Sequence, residues 1–276
     1  LCGLRKTVEK GIEKIKKMLP FVDKINRKLC PVSDLMIGLQ CGGSDAWSGI
    51  TANPALGHAC DLLVSKGGTG VLSETPEIYG AEHLLIRRAA NHKISKKLLE
   101  RIEWWESYTK RNFGTMDNNP SPGNKRGGLT TILEKSLGAV AKSGTRKMVD
   151  VLDYAEKLKV KGFNFMNSPG YDPVSVTGQV ASGANIICFT TGRGSCFGFK
   201  PTPSIKIATN TNMFNKLKED MDINAGSIMD NEKSLDEVGK EIIDKIISVA
   251  SGEKSKSEIN EYGDDEFNPW IIDPTL

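Results

Sequence analysis

The sequence predicts an α/β protein: a mostly parallel sheet flanked by helices, with long Gly/Pro-rich loops at strand ends. Three observations lead there. Short apolar runs read as buried strands. Segments of helical periodicity alternate with them, the pattern that gives parallel sheets. Glycine- and proline-rich loops abut the apolar runs, at the element ends where open α/β sheets build their sites.

Taken in order, residues 5–28 carry helical periodicity that Pro20 breaks or kinks. Asp34–Leu39 reads as a strand running into the loop Gln40-Cys41-Gly42-Gly43-Ser44-Asp45-Ala46. Asn53 and Pro54 open a helix through Lys66, with Asn53 as cap and Pro54 at the first position. Gly70–Leu72 is a second strand, ending in Ser73-Glu74; helices follow from about Glu77 to Asn91 and from Ser95 to Arg111. Residues 114–128 are too rich in Gly, Pro and Asn to form an element, and their length marks a functional or disordered segment. A subdivision of the chain would fall near 112–130. Thr130–Lys142 is a helix that begins on that loop. Phe163–Met166 and Asn185–Phe189 are strands joined by a Pro169-Gly170 turn and a helix near Pro173–Ala181. Ser204–Ala208 is one more strand, and Ser234–Ala250 an amphipathic helix. The tail 251–266 is polar, with Phe267 and Trp270 expected to dock an end.

The 276 residues suffice for one large domain or two small ones. A balance of 37 basic against 34 acidic residues, with the bases scattered, argues against a nucleic-acid partner. No apolar stretch reaches the roughly 18 residues a membrane span needs. Six cysteines, at positions 2, 30, 41, 60, 188 and 196, form no C-x-x-C pair, and the expected compartment is the reducing cytoplasm without disulfides. Cys60 and Cys188 read as packed small hydrophobes, whereas Cys41 and Cys196 sit in glycine loops where a thiolate ligand is an alternative. Gly192, Gly194 and Gly198 miss the dinucleotide spacing, no phosphate-cradling P-loop occurs, and no Ser-His-Asp set has elbow spacing.

Three loops carry the chemistry: residues 40–46, 119–125 and 191–195. They predict one pocket for a small polyanionic or polyhydroxylated molecule. Asp45, Glu74, Glu77 and Glu82 gather just after two strand ends, where carboxylates hold a divalent cation or act as acid and base. Glu77 and Glu82 also suit the first turns of a helix, where negative charge is favoured. Lys125, beside Asn124 and just before a helix N-terminus, suits a carboxylate or phosphate, or else is a solvated loop lysine. Arg193, between two glycines after an apolar strand, reads as substrate-binding. Lys135 lies one turn into its helix, and His83 is the histidine closest to the acidic group.

At these residues the chain resembles the altronate dehydratase / galactarate dehydratase family, which also includes a sulfolactate sulfo-lyase. The matching strings are LQCGGSDAWSGITANPALG (39–57), GVLSETPEIYGAEHLL (70–85), NPSPGNKRGGLTTILEKSLGAVAKSG (119–144), SPGYDPVSVTGQVASGANIICFTTGRGSCFGFKPTPSIKIATNT (168–211) and Phe267-Asn268-Pro269-Trp270. The resemblance implies a hydro-lyase that removes water from a sugar acid to give a 2-keto-3-deoxy acid, with a divalent metal, Fe²⁺ or else Mn²⁺. Residues 73–83 look more like the altronate branch. The family alternatives are galactarate dehydration and sulfolactate elimination; a non-catalytic sugar-acid-binding fragment is the rival from another class. Under the enzyme reading Asp45, Glu74, Glu77 and Cys41 hold the metal. Lys125, Asn124 and Arg193 bind the substrate carboxylate, and Lys135 or His83 is the base or the acid to the leaving hydroxyl. A small-molecule sugar acid is the expected partner, in a homo-oligomer. Family members place a small β domain and a further segment before this region, so Leu1 is expected to fall inside a longer protein. Altronate-type relatives tend to carry Cys after Ser-Leu-Gly, where this chain has Ala139.

Overall fold

A computed structural model describes residues 3–271, and the chain divides into two units at Pro31/Val32. The first unit carries α1 (Leu4–Val22), whose Pro20 is accommodated in the last turn of the helix. Cys2 lies outside the described residues.

In the second unit β1 (Met36–Cys41) feeds α2 (Ala52–Ser65) and β2 (Thr69–Leu72). A 3₁₀ turn at Thr75–Ile78 then leads to α3 (Glu82–Ile86) and α4 (His92–Arg111). Next come α5 (Pro122–Arg126), α6 (Ile132–Ala141), β3 (Met148–Leu152), β4 (Phe163–Met166), α7 (Asp172–Ser182) and β5 (Ile186–Thr191). The chain continues through β6 (Ser204–Ala208), α8 (Thr211–Lys216), β7 (Ile223–Asn224), α9 (Leu235–Ala250) and α10 (Lys256–Ile259). Every strand pairing is parallel, and the order across the sheet is β3-β4-β2-β1-β5-β6-β7.

The strand side chains alternate between two helical layers. Ile37, Leu39, Ile186 and Cys188 pack with α2 and α9 in the main core, while Ile187 and Phe189 meet Val176 of α7 on the other face. Glycines let both layers come close. A Cβ on Gly38 would overlap the Gln179 amide of α7, and one on Gly70 would overlap the Cys60 sulfur of α2. Chain order leaves β1 toward β2 on one side and returns to place β5 on the other. The carboxyl ends of β1 and β5 therefore flank the switch point, where ligands bind in such sheets.

The strands at 36–41, 69–72, 163–166, 186–191 and 204–208 and the helices at 92–111, 172–182 and 235–250 lie where the sequence places them, within a few residues. Elsewhere the structure corrects the reading. Thr51, not Asn53, caps α2; the Asn53 side chain instead bridges Thr190 Oγ1 and the Gly138 carbonyl at 2.6 and 2.9 Å. The helix expected over 77–91 is broken into a 3₁₀ turn and α3, because Gly80 adopts φ +87°. The proline loop contains α5, closed by a capping box between Ser121 and Asn124. Two strands went unread: β3, which lies at one edge of the sheet, and the two-residue β7 at the other. Trp270 stacks on Trp105 at 5.4 Å, whereas Phe267 is exposed.

Gly38→Ala should cost about 1–3 kcal/mol, the usual penalty for overpacking, read as a lower denaturant midpoint at unchanged slope. An unchanged midpoint would mean that α7 is not seated against β1 as described.

Candidate active site

The three glycine loops lock onto one another at the carboxyl ends of β1 and β5. The Gly43 carbonyl accepts from the amides of Gly192 and Arg193 at 3.2 and 3.1 Å. The Ser44 carbonyl accepts from Asn124 Nδ2 at 3.0 Å, and the Gly127 carbonyl from the Ala46 amide at 2.9 Å. Asp45 is the knot. Its buried carboxylate accepts from the Ser48 amide and hydroxyl, Thr209 Oγ1 and Asn210 Nδ2 at 2.9–3.1 Å. A Cβ on Gly192 would overlap it, so glycine there lets the chain itself pass close.

Beside that knot lies a buried cluster of charge. Lys135 of α6 donates to Glu77 Oε1 at 2.5 Å and to Asn119 Oδ1 at 3.0 Å. Lys142, at the C-cap of α6 and fully buried, donates to Cys41 Sγ at 2.8 Å and lies 3.6 Å from Glu77 Oε2. The Cys41 thiol in turn donates to Glu77 Oε2 at 3.3 Å. Burial alone would raise the Glu77 carboxyl, but the two ammonium groups override it and hold it at about 2. Burial opposes the charge on both lysines; Glu77 first for Lys135, and the Cys41 sulfur followed by Glu77 for Lys142, outweigh it and push each upward. The Cys41 thiol is driven up to about 12 by burial and by Glu77, so it keeps its proton.

Glu74 stands behind Glu77. It holds the left-handed conformation at φ 70°, costly for a residue with a side chain, and its Oε2 is buried without a partner. Burial and the Glu77 charge raise its carboxyl well above the usual range, so it stays protonated and hydrogen-bonded to Glu77. Asp172, the first residue of α7, reaches the same place from the opposite helical layer. Its Oδ1 accepts from Gln40 Nε2 at 3.0 Å, and Gln40 Oε1 accepts from Ser175 at 3.1 Å. Burial and the Glu77 charge push Asp172 up to about 7. Near neutral pH the cluster therefore holds two ammonium groups and one full carboxylate, with Asp172 poised between its two states. That surplus of positive charge calls for an anion.

A cavity of about 220 Å³ opens over this cluster, lined by Cys41, Gly43, Glu77, Asn119, Ser121, Asn124, Lys135, Asp172 and Arg193 among others. It is smaller than the range of about 300–1,000 Å³ typical of drug-sized ligands. A second cavity of about 330 Å³ shares Cys41, Ser44 and Lys135 and is otherwise walled mainly by small and apolar residues, Ala139 among them.

Among the expected site residues, Cys41, Glu74, Glu77 and Lys135 come together, and Arg193 and Asn124 line the same cavity. The Asn124 amide, however, is engaged with Ser44 and Ser121. Lys125 and His83 are exposed and outside the cavity lining. Lys142 and Asp172 belong to the site without having been singled out by the sequence reading, and Gln40 and Asn119 were marked there only as members of two of the loops. A lysine closing an otherwise apolar helix, and an aspartate directly after a Pro-Gly turn, were the available signals.

A divalent cation does not fit the four residues expected to hold it. Asp45 is saturated in its own network, both oxygens of Glu77 face lysines, and the Glu74 carboxyl is tied to Glu77 by a hydrogen bond. Among the described residues no three His, Cys, Asp or Glu groups converge as a metal set.

Residues 32–275 match the sequence model of the family described as D-galactarate/Altronate dehydratase, C-terminal. A galactarate dehydratase (L-threo-forming) of Escherichia coli (strain K12) is 45% identical over 91% of this chain and 48% of its own length. An altronate dehydratase of Bacillus subtilis (strain 168) is 41% identical, over 92% of the chain and 51% of that protein. A (2R)-sulfolactate sulfo-lyase subunit beta of Chromohalobacter salexigens is 33% identical, over 93% and 67%. The chain thus spans about half the length of the two dehydratases, and overall identity does not favour the altronate branch over the galactarate one.

Glu77→Gln should destabilise the protein by about 3–5 kcal/mol, because two buried ammonium groups lose their counter-charge. The sign with pH follows from the depressed carboxyl. Its stabilisation is fully present above the unfolded value of about 4.3 and is lost as pH falls through about 2. Denaturant unfolding of the wild type from pH 6 to pH 2 should show that acid loss, and the variant should lack its Glu77 share. Equal acid profiles would mean that Glu77 is not the ionised centre.

Proposed function

Because the chain belongs to the D-galactarate/altronate dehydratase family, we propose that it supplies catalytic machinery for removing water from a small sugar acid of the galactarate or altronate kind. The product is a 2-keto-3-deoxy acid. The observation that carries this reading is the buried, net-positive cluster of Lys135, Lys142 and Glu77 at the floor of a small cavity, with Asp172 beside it. Dehydration begins with loss of a proton from the carbon bearing the carboxylate. That proton is weakly acidic, and the charge it leaves spreads onto the carboxylate oxygens.

Lys135 lines the cavity, so its ammonium binds the substrate carboxylate and stabilises the enediolate. Lys142, fully buried, adds its charge from behind. Asp172, held by Gln40 and near its midpoint at neutral pH, takes the α-proton. The C–O bond at the β-carbon then breaks and the hydroxyl leaves as water with a proton from Lys135, which Asp172 can return through solvent. The enol formed rearranges to the ketone. Positive charge in this scheme comes from ammonium groups, and none of its steps uses a bound metal. The proposed setting is a homo-oligomer in the cytoplasm. No helix among the described residues is long and apolar enough to cross a membrane.

A panel of altronate, galactarate and sulfolactate, followed by release of 2-keto acid or sulfite from the complete enzyme, tests the reading. Binding without turnover of any would leave a sugar-acid-binding module. On the preferred substrate, Asp172→Asn and Lys135→Met should each lower kcat by about 10²-fold or more, with thermal unfolding of the Asp172 variant close to wild type. The base works ionised, so kcat/KM should rise with pH through about 7. A flat profile from pH 6 to 8 would remove Asp172 from that role.

A further inference from the structure

The cavity has a second cation that the elimination itself does not require. Lys135 meets one end of the 119–124 wall, at Asn119 Oδ1, 3.0 Å away. Arg193 meets the other end. Its guanidinium lies against Gly123, where any Cβ would overlap it, so the α5 backbone forms a seat for the group. Its backbone is pinned by the Gly43 carbonyl at 3.1 Å, and the next amide, that of Gly194, donates to Thr191 Oγ1 at 3.1 Å. Among the described residues no carboxylate lies within 4.0 Å of this guanidinium, although it lines a cavity that also contains Glu77 and Asp172. A seated, acid-free guanidinium on a cavity wall suits a planar anion, which it grips with two parallel hydrogen bonds.

We propose that Arg193 reads a second carboxylate, at the far end of the ligand from the Lys135 floor, so that this cavity prefers an aldaric acid, charged at both ends, over an aldonic acid. The inference rests on the carboxylate site proposed for Lys135. With one carboxylate at the floor, a terminal hydroxymethyl group would leave Arg193 facing a neutral oxygen. A terminal carboxylate gives it a full counter-charge. Discrimination of this kind exceeds what an added methylene can give, because a site built for a polar group is left unpaired by the analogue lacking it.

Galactarate and galactonate differ only in that terminus, and calorimetric binding of each to the 276-residue chain reads the difference. The wild type should bind galactarate at least tenfold more tightly. Arg193→Gln, at an exposed position, should keep the wild-type melting temperature, lose that preference, and bind galactonate as before. Equal wild-type affinities, an equal loss for both ligands, or no loss for either would each overturn the inference, as would failure of the wild type to bind galactarate. Lys135→Met separates the two readings. It should weaken both ligands alike. If it weakens neither while Arg193→Gln still abolishes the galactarate preference, the floor reading falls and the Arg193 reading stands.

Discussion

Taking two ammonium groups out of water costs several kcal/mol each unless a counter-charge meets them, and in this fold one carboxylate does so for both. Lys135 and Lys142 are two turns apart on the α6 helix, so their side chains leave the same face and converge on Glu77. Lys142 also sits at the helix C-terminus, where the helix dipole favours a cation. Glu77 can receive both only because the 3₁₀ turn after β2 swings it under α6, and that turn starts from the left-handed Glu74. The strained backbone, the protonated Glu74 and the protonated Cys41 follow from the demand that one ionised carboxylate face two buried cations. A larger supply of ionised acid would neutralise the floor and remove its pull on an anion.

The glycine loops divide their work between the chain and the ligand. Gly192 is required because Asp45 occupies the space a Cβ would fill. Gly42 and Gly123 are different: what fills their space is the end of Asp172 and of Arg193, groups that line the cavity. Glycine-rich loops therefore announced close approach correctly, but one of these three approaches is internal. The same logic removes Asp45 from the chemistry. Four donors surround its carboxylate, which makes it the fastener of the loops whose backbone shapes the cavity.

How much could be read in advance follows from what signals were local. The buried strands announced themselves because each is a short apolar run between glycine-rich breaks, and Ser204–Ala208 lies where expected to the residue. Edge strand β3 did not, since its Asp150 turns out to Lys97 at 2.8 Å and interrupts the apolar run. The two-residue β7 has no pattern to detect. In the site, Cys41, Glu74, Glu77 and Lys135 were legible as polar residues at strand ends and on the following helix. Lys142 was not, because a lysine at a helix end ordinarily reads as solvated, and only the tertiary placement of Glu77 shows why it is buried. His83 illustrates the reverse error: it is near the acids in sequence, yet Gly80 ends the turn that would have carried it toward them.

One strand end serves both halves of the proposed chemistry, and the pleat is the reason. Gln40 and Cys41 are consecutive residues of β1, so their side chains leave opposite faces of the sheet. Cys41 points toward the α6 lysines and Glu77, while Gln40 points toward α7, where it orients Asp172 and is itself held by Ser175. An acid–base group and a cationic floor can therefore be supplied by different helical layers, each with its own packing, and still meet where the strand stops. The strand ends beside β5 at the switch point of the sheet, where open sheets of this kind have room for such a meeting.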